Sequence, residues 1–363
     1  MWLPFFLRLD MTHYTSGMQM RLLVMAILGV SLGAAQQPAA PIAAPANQPA
    51  VGLEQVEALL HAGKVDDAAA QLYQYLAVHP DSPRAQRDRG MIAYARSDYG
   101  AAIPDLQKAV SREPNDREAT QLLGLSYYIL GRAADAIPLL EKVREWFPSA
   151  HLDASYYLAS AYMQVRRYDD ARSAFAQAYD LPNDSAAADL LTARMLLRQE
   201  YEPVAEEYAR KALAKEPKLP LAHFLVGEIY LYKADIPRAI DEFEAELKVN
   251  PAHAPTYVRL ADAYLRAARF DDAERVLSRS IYLDSTSSSA YMLLSRVLLR
   301  KNDPARATAA LQRAVALDPN NYLAPHQLGQ ALIAMGKRTE GATELQRAQE
   351  LQNAQRRLPV EKR

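Results

Sequence analysis

The side chains in this sequence best suited to chemistry are three adjacent aspartate pairs, Asp66-Asp67, Asp169-Asp170 and Asp271-Asp272. Paired carboxylates can divide general acid and general base work between them. All three pairs, however, fall just before an alanine that opens an amphipathic helical stretch. At that place a carboxylate caps amide N–H groups and favours the positive end of the helix dipole. Capping is therefore the expected role. The histidines are His13, His61, His79, His151, His223, His253 and His326, and none forms His-x3-His or His-Glu-x2-His, so no zinc site is legible. The chain has no cysteine, which removes disulfides, thiolate metal sites and a cysteine nucleophile. No glycine-rich phosphate loop and no Gly-x-Ser-x-Gly elbow occurs. The serine cluster at Asp284–Tyr291 reads as a turn followed by a helix start. The expectation is a protein that is not an enzyme and carries no cofactor or metal.

Composition leads the same way. Of 363 residues 50% are hydrophobic, and 42 basic side chains balance 43 acidic ones for a net charge of −1. Nucleic-acid binding needs a clustered basic excess, so no nucleic-acid partner is expected. Glycine is scarce at 13, while tyrosine reaches 21 against 7 phenylalanines. Few glycines among many Ala, Leu and Arg residues favour helix over sheet.

What would position these side chains is a repeat of 34 residues. "SDYGAAIPDLQKAVSREPND" from Ser97 returns as "GRAADAIPLLEKVREWFPSA" from Gly131 and "NDPARATAALQRAVALDPNN" from Asn302. Units start at about 49, 83, 117, 152, 186, 220, 254, 288 and 322, and only the step from Arg117 to Leu152 is 35. Each unit holds two amphipathic helices. In the first, positions 7, 8 and 11 are apolar, small, and apolar or aromatic, as in Leu123-Gly124-Tyr127, Leu158-Ala159-Tyr162, Val226-Gly227-Tyr230 and Leu260-Ala261-Tyr264. The small residue lets the second helix approach. The second helix repeats Ala at 20, a large apolar residue at 24 and Ala at 27, as in Ala102-Leu106-Ala109, Ala171-Phe175-Ala178 and Ala307-Leu311-Ala314. A proline near position 32 ends it, at Pro80, Pro114, Pro148, Pro217, Pro251 and Pro319.

With small-at-8, Ala-at-20 and Pro-at-32 repeated along residues 49–355, the chain resembles a tetratricopeptide repeat (TPR) protein of the exported bacterial type. The resemblance implies an all-α, right-handed superhelix of stacked helix pairs, about nine units long, with first helices lining a concave face. Neighbouring units then bury each other's apolar sides, which is why the pattern recurs. The first unit departs at position 8, with Val56. The last has Gly341 at position 20, which costs about 1 kcal/mol of helix propensity relative to Ala. Pro203, Pro237 and Pro304 open second helices, where a missing N–H is harmless, whereas Pro104 and Pro138 lie deeper and are expected to bend their helices.

Ahead of the repeats, Arg21 precedes the apolar run Leu22–Ala35, which ends in small residues. Residues 1–35 read as a signal peptide with cleavage after Ala35, and translation starting at Met18 or Met20 fits the pattern better than Met1. The run is too short to span a bilayer comfortably, so no stable membrane span is expected after cleavage; an uncleaved N-terminal anchor is the alternative. Residues 36–48 form a Pro/Ala-rich linker and 356–363 a basic tail. The expected location is periplasmic or secreted.

In the family that the pattern resembles, ligands lie along the groove against first-helix positions 2, 5, 9 and 12. The candidates here are Tyr94 and Tyr128 at position 12, Tyr156, Phe224 and Met292 at position 5, and Arg194, Glu228, Asp262 and Arg296 at position 9. Positions 5 and 12 could instead be consumed by packing between units. No Asn occupies position 9 or 6, so the carboxylate clamp of chaperone-binding relatives is absent. The sequence thus reads as a scaffold for protein–protein interaction in the periplasm or cell envelope. It would bind an extended peptide or helix in its groove and serve an envelope assembly or secretion complex. The other reading is the superhelical arm of a polysaccharide-export or glycosyl-transfer system.

Overall fold

The computed structural model describes residues 52–146 and 152–357. The apolar run, the Pro/Ala stretch, Pro148 and residues 358–363 lie outside them. Among the described residues there are eighteen α-helices and no strand. They are α1 (Leu53–His61), α2 (Val65–Val78), α3 (Pro83–Ala95), α4 (Tyr99–Arg112), α5 (Arg117–Ile129), α6 (Ala133–Trp146), α7 (Leu152–Gln164) and α8 (Tyr168–Ala178). There follow α9 (Ala186–Arg198), α10 (Glu202–Lys215), α11 (Ala222–Tyr232), α12 (Ile236–Val249), α13 (Ala254–Arg266), α14 (Phe270–Leu283), α15 (Ser288–Arg300), α16 (Pro304–Leu317), α17 (Leu323–Ala334) and α18 (Arg338–Arg357). Two compact units divide the chain, residues 1–174 and 175–363.

Within each unit the helices pair as hairpins, and each second helix packs on the first helix of the next hairpin. First helices of successive hairpins also touch, α1 to α3 to α5 to α7 in one unit and α9 to α11 to α13 to α15 in the other. This is an all-α solenoid of helical repeats. The hairpin closes because small residues at position 8 face large ones at position 24. A methyl group added to Gly227 would lie 2.6 Å from the Phe243 ring, so nothing larger than hydrogen fits beneath that side chain. Leu106, Leu140, Phe243, Leu277 and Leu311 at position 24 are fully buried, each stabilising its hairpin by about 1.5–3 kcal/mol. Every position-20 alanine from Ala68 to Ala307 is likewise inaccessible. The exception, Gly341, has a packing reason. A Cβ there would meet the Gly329 carbonyl oxygen at 2.7 Å and the Ile333 side chain at 2.6 Å, so α17 and α18 approach more closely than alanine permits.

The turn inside each hairpin is uniform. Position 15 is left-handed in every one, at Gly63, Ser97, Gly131, Arg166, Glu200, Ala234, Ala268, Asn302 and Gly336. The N–H of position 16 returns to the carbonyl of position 11, as from Arg132 to Tyr127 and from Arg269 to Tyr264, at 2.8 Å in both. The N–H of position 15 reaches the carbonyl of position 12, closing a Schellman motif.

The capping role expected of the aspartate pairs is corrected. α2 and α14 begin at Val65 and Phe270, so the pairs sit inside the first turn. There Asp66 accepts from Arg96 (2.7 Å), Asp170 from Arg167 (2.6 Å), and Asp272 from Arg269 and Arg275 (2.8 Å each). Side-chain caps come instead from Asp98, Asp235 and Asp303 before second helices, and from Ser82, Asp116, Ser185 and Ser287 before first helices. Pro203, Pro237 and Pro304 occupy the first turn of their helices, while α4 and α6 continue unbroken through Pro104 and Pro138.

Candidate interaction surface

Position 11 shows how neighbouring hairpins are joined. Tyr127, Tyr162, Tyr230 and Tyr264 are buried, each with its hydroxyl directed at position 25 of the preceding hairpin. Gln107 donates to Tyr127 (2.5 Å), Tyr162 donates to Glu141, Arg210 donates to Tyr230, and Tyr264 donates to Glu244. Arginine guanidinium groups cover the rings, at 4.4 Å for Arg132 on Tyr127 and 4.3 Å for Arg269 on Tyr264. Burial and the Glu244 carboxylate together push the Tyr264 phenol up to about 12.

In the N-terminal unit two candidates are not open surface. Tyr94 is 4% exposed and Tyr128 6%. The Tyr128 ring lies 5.4 Å from Tyr157 of the next hairpin, and Tyr94 lies 5.3 Å from Tyr99. Burial raises both phenols above the usual tyrosine range. The expectation that these side chains present a face to a partner is corrected: position 12 is buried here, packed against the next hairpin at Tyr128 and against its own hairpin at Tyr94. Tyr156 is half-buried, 5.7 Å from the Tyr157 ring.

This unit also holds a charged network on first-helix positions that sequence reasoning missed. Arg84 grips Glu57 with a two-pronged contact at 2.9 and 2.7 Å. Arg87 reaches Asp116 (2.7 Å), Glu118 (2.9 Å), Glu57 and Asp88 (both 3.4 Å). The network ties α1, α3 and α5 together. Asp88 is fully buried, and its Oδ2 accepts no hydrogen bond. Burial, reinforced by Glu57, outweighs Arg87 and lifts its carboxyl to about 7. Opposite signs on successive first helices, Glu57 on α1, Arg84 and Arg87 on α3 and Glu118 on α5, were the available signal.

In the C-terminal unit the position-9 candidates come together as a row. Glu228 meets Arg259 at 3.1 Å, with Arg194 close enough to act on its charge. Asp262 meets Arg266 at 2.9 Å and Arg296 at 3.9 Å. Burial raises the Glu228 carboxyl despite these arginines. Arg259 and Arg266 join the candidates only in the folded chain. Flanking the row, Phe224 is half-buried, its ring 5.9 Å from Phe243 and 5.3 Å edge-on from His253. Met292 is half-buried against the α16–α17 core. Leu299 and Ile333, at position 12, are 42% and 40% exposed. Glu246 was also missed: it stands at position 27, where the pattern calls for Ala, and is fully buried. It accepts from Leu221 N–H (2.8 Å) and Phe224 N–H (3.3 Å), capping α11 from the neighbouring helix because Leu221 has no capping side chain. Among the described residues no three His, Asp or Glu side chains converge as metal ligands.

One tetratricopeptide repeat model matches residues 53–110, 88–151 and 258–322, and a second model of the same description matches 127–195. The chain belongs to the tetratricopeptide repeat family. Such repeats form scaffolds suited to protein interactions and are generally non-catalytic. Superkiller complex protein 3 of Mus musculus is 22% identical over 80% of this chain and 19% of its own length. Cellulose synthase operon protein C of Pseudomonas fluorescens is 21% identical over 74% of this chain and 19% of its own. The chain thus spans about a fifth of the length of these relatives. Among solved structures, a MamA chain running from its residue 41 to the end, from Desulfovibrio magneticus RS-1, superposes with a TM-score of 0.45 at 23% identity, covering 47% of this chain and 97% of that one. YrrB, described as a TPR protein with an unusual peptide-binding site, gives 0.43 at 19% identity over 50% of this chain and 94% of its own.

Proposed function

We propose that this TPR chain is a non-catalytic scaffold of the periplasm or cell envelope, which holds an extended peptide or helix against the first-helix face of its C-terminal unit. One observation carries the binding part. On α9, α11, α13 and α15 the charges Arg194, Glu228, Asp262 and Arg296 form a row at position 9, flanked by half-buried or exposed apolar side chains at positions 5 and 12 such as Leu197, Phe224, Val258, Leu265, Met292 and Leu299, all within one compact unit. A surface of alternating apolar and charged stripes suits a segment with both kinds of side chain. Export is supported by Arg21 followed by the short apolar run and small residues. Among the described residues no helix is long and apolar enough to cross a membrane.

The test is capture from envelope extract by the mature chain, with bound proteins identified by mass spectrometry. Leu299→Ala serves as the control, since a side chain 42% exposed contributes little to the core. The variant should melt like the parent yet hold its partner about 1–3 kcal/mol less tightly. A partner that binds Leu299→Ala and the parent alike would refute the assigned face. A second reading, an arm of a polysaccharide-export system, is favoured by similarity to two cellulose synthase operon C proteins. Capture of glycan or a glycan synthase in the same experiment would select it.

A further inference from the structure

The first helices of the C-terminal unit are unlike the chain as a whole in charge. The chain is balanced at −1, yet α9, α11, α13 and α15 carry Arg194, Arg198, Arg259, Arg266, Arg296 and Arg300 against only Asp189, Glu228 and Asp262. Asp189 is fully buried and held by Lys215 at 2.8 Å. The other two acids lie deeper than their partners. Side-chain exposure is 26% for Glu228 and 17% for Asp262, against 49% for Arg259, 49% for Arg266 and 54% for Arg296. The carboxylates therefore sit beneath and orient guanidinium groups, while the guanidinium groups face outward. A ligand approaching this face meets positive charge.

Resting on the reading of this face as a binding surface, we infer that its occupant is an acidic protein segment that also carries apolar side chains. Guanidinium groups fixed by a recessed carboxylate have already lost rotamer freedom, so less is lost on meeting a second carboxylate. Oriented arginines favour carboxylates, which accept their paired N–H groups. Apolar side chains in the ligand are required by what borders the arginines, namely Val258, Leu265, Met292 and Leu299 at positions 5 and 12. A glycan is less well served, because the one aromatic ring among these positions, Phe224, is spent against Phe243 and His253. First helices packed about 8–10 Å apart make the span from α9 to α15 about 30 Å, the length of roughly ten extended residues.

The test uses the full chain and fluorescein-labelled decapeptides read by anisotropy: one of glutamate and leucine, its lysine–leucine counterpart, and one of glutamate and serine. The glutamate–leucine peptide should bind at least tenfold more tightly than either control. Its affinity should fall at least tenfold between about 0.05 M and about 0.5 M salt. Arg259→Glu combined with Arg296→Glu should weaken it at least tenfold, and Arg259→Gln with Arg296→Gln to a lesser degree, while circular dichroism shows both variants folded. Equal binding of the lysine peptide, or unchanged binding to the charge-reversed chain, would overturn the inference. So would displacement by alginate with no advantage from leucine, which would point to an acidic glycan. The broader reading fails separately. If a captured partner depends on Leu299 but is indifferent to charge reversal, the face binds protein and only the acidic assignment is wrong.

Discussion

Asp88 is the residue whose chemistry is most displaced by its surroundings. Enclosed between α1, α3 and α5, it faces Glu57, Arg84, Arg87 and Glu118. Its carboxyl titrates at about 7 in the fold against an ordinary 3.8. A group whose folded value is raised contributes stability that is present below the unfolded value and lost as pH rises through the folded one. The parent should therefore lose on the order of 2–4 kcal/mol from this group between pH 4 and pH 8, and Asp88→Asn should not. Urea denaturation of both proteins across that range gives the difference directly. Parallel curves would show that Asp88 is ionised throughout. Phe224 belongs to the same scale. A fully exposed ring would cost nothing on truncation and a core ring about 3–5 kcal/mol. Packed on Phe243 and His253 yet half-exposed, it should cost about 1.5–3 kcal/mol on Phe224→Ala, read from the denaturation midpoint. A loss above that range would mean the ring is core and not available to a ligand.

Among the elements, the hairpin contact was legible in the sequence and the hairpin turn was not. Gly227 against Phe243 could be read because size must alternate where two helix axes come close, leaving a pattern of small and large residues. Position 15 leaves only a faint one, glycine at Gly63, Gly131 and Gly336. Ser97, Arg166, Glu200, Ala234, Ala268 and Asn302 share no chemistry, only a positive φ that the returning Schellman hydrogen bonds impose. Position 12 was ambiguous for another reason: an apolar side chain looks the same in sequence whether it is packed, as Tyr128 is, or displayed, as Leu299 is. Glu246 was hidden because one glutamate in a row of small residues reads as noise until the uncapped start of α11 is seen beside it. The strained turn supplies a prediction. Ala268 has φ 58, a conformation costing an L residue roughly 1–2 kcal/mol. Glycine relieves that cost but adds about 0.5–1 kcal/mol of unfolded-state freedom. Ala268→Gly should therefore raise stability by about 0.5–1 kcal/mol, measured by chemical denaturation. A lower midpoint would mean that the turn carries little strain.

For the whole molecule, the decisive measurement concerns maturation. Export of the repeats predicts that the protein recovered outside the cytoplasm begins near Gln36, as N-terminal sequencing would report. A product that retains Leu22–Leu32 in a membrane fraction would establish the anchored alternative, and one that retains it in the cytoplasm would remove the envelope from the proposal.

The tyrosines at position 11 bear on how such a chain can change its length. A phenol hydroxyl both gives and takes a hydrogen bond, and here it is met by an amide at Gln107, a carboxylate at Glu141 and Glu244, and a guanidinium at Arg210. The joint between hairpins thus accepts an acid, a base or a neutral group on the far side. Suppose unequal recombination removed residues 220–253. Tyr264 would then arrive opposite Arg210, a pairing that Tyr230 already makes. A duplication of the same segment would set a second Tyr230 against Glu244, the partner Tyr264 now has. Loss or gain of this one 34-residue unit leaves the seam chemically matched, whereas a change of any other length turns the tyrosine away from its partner. At this seam the chain can lengthen or shorten by a whole hairpin without first acquiring a compensating substitution.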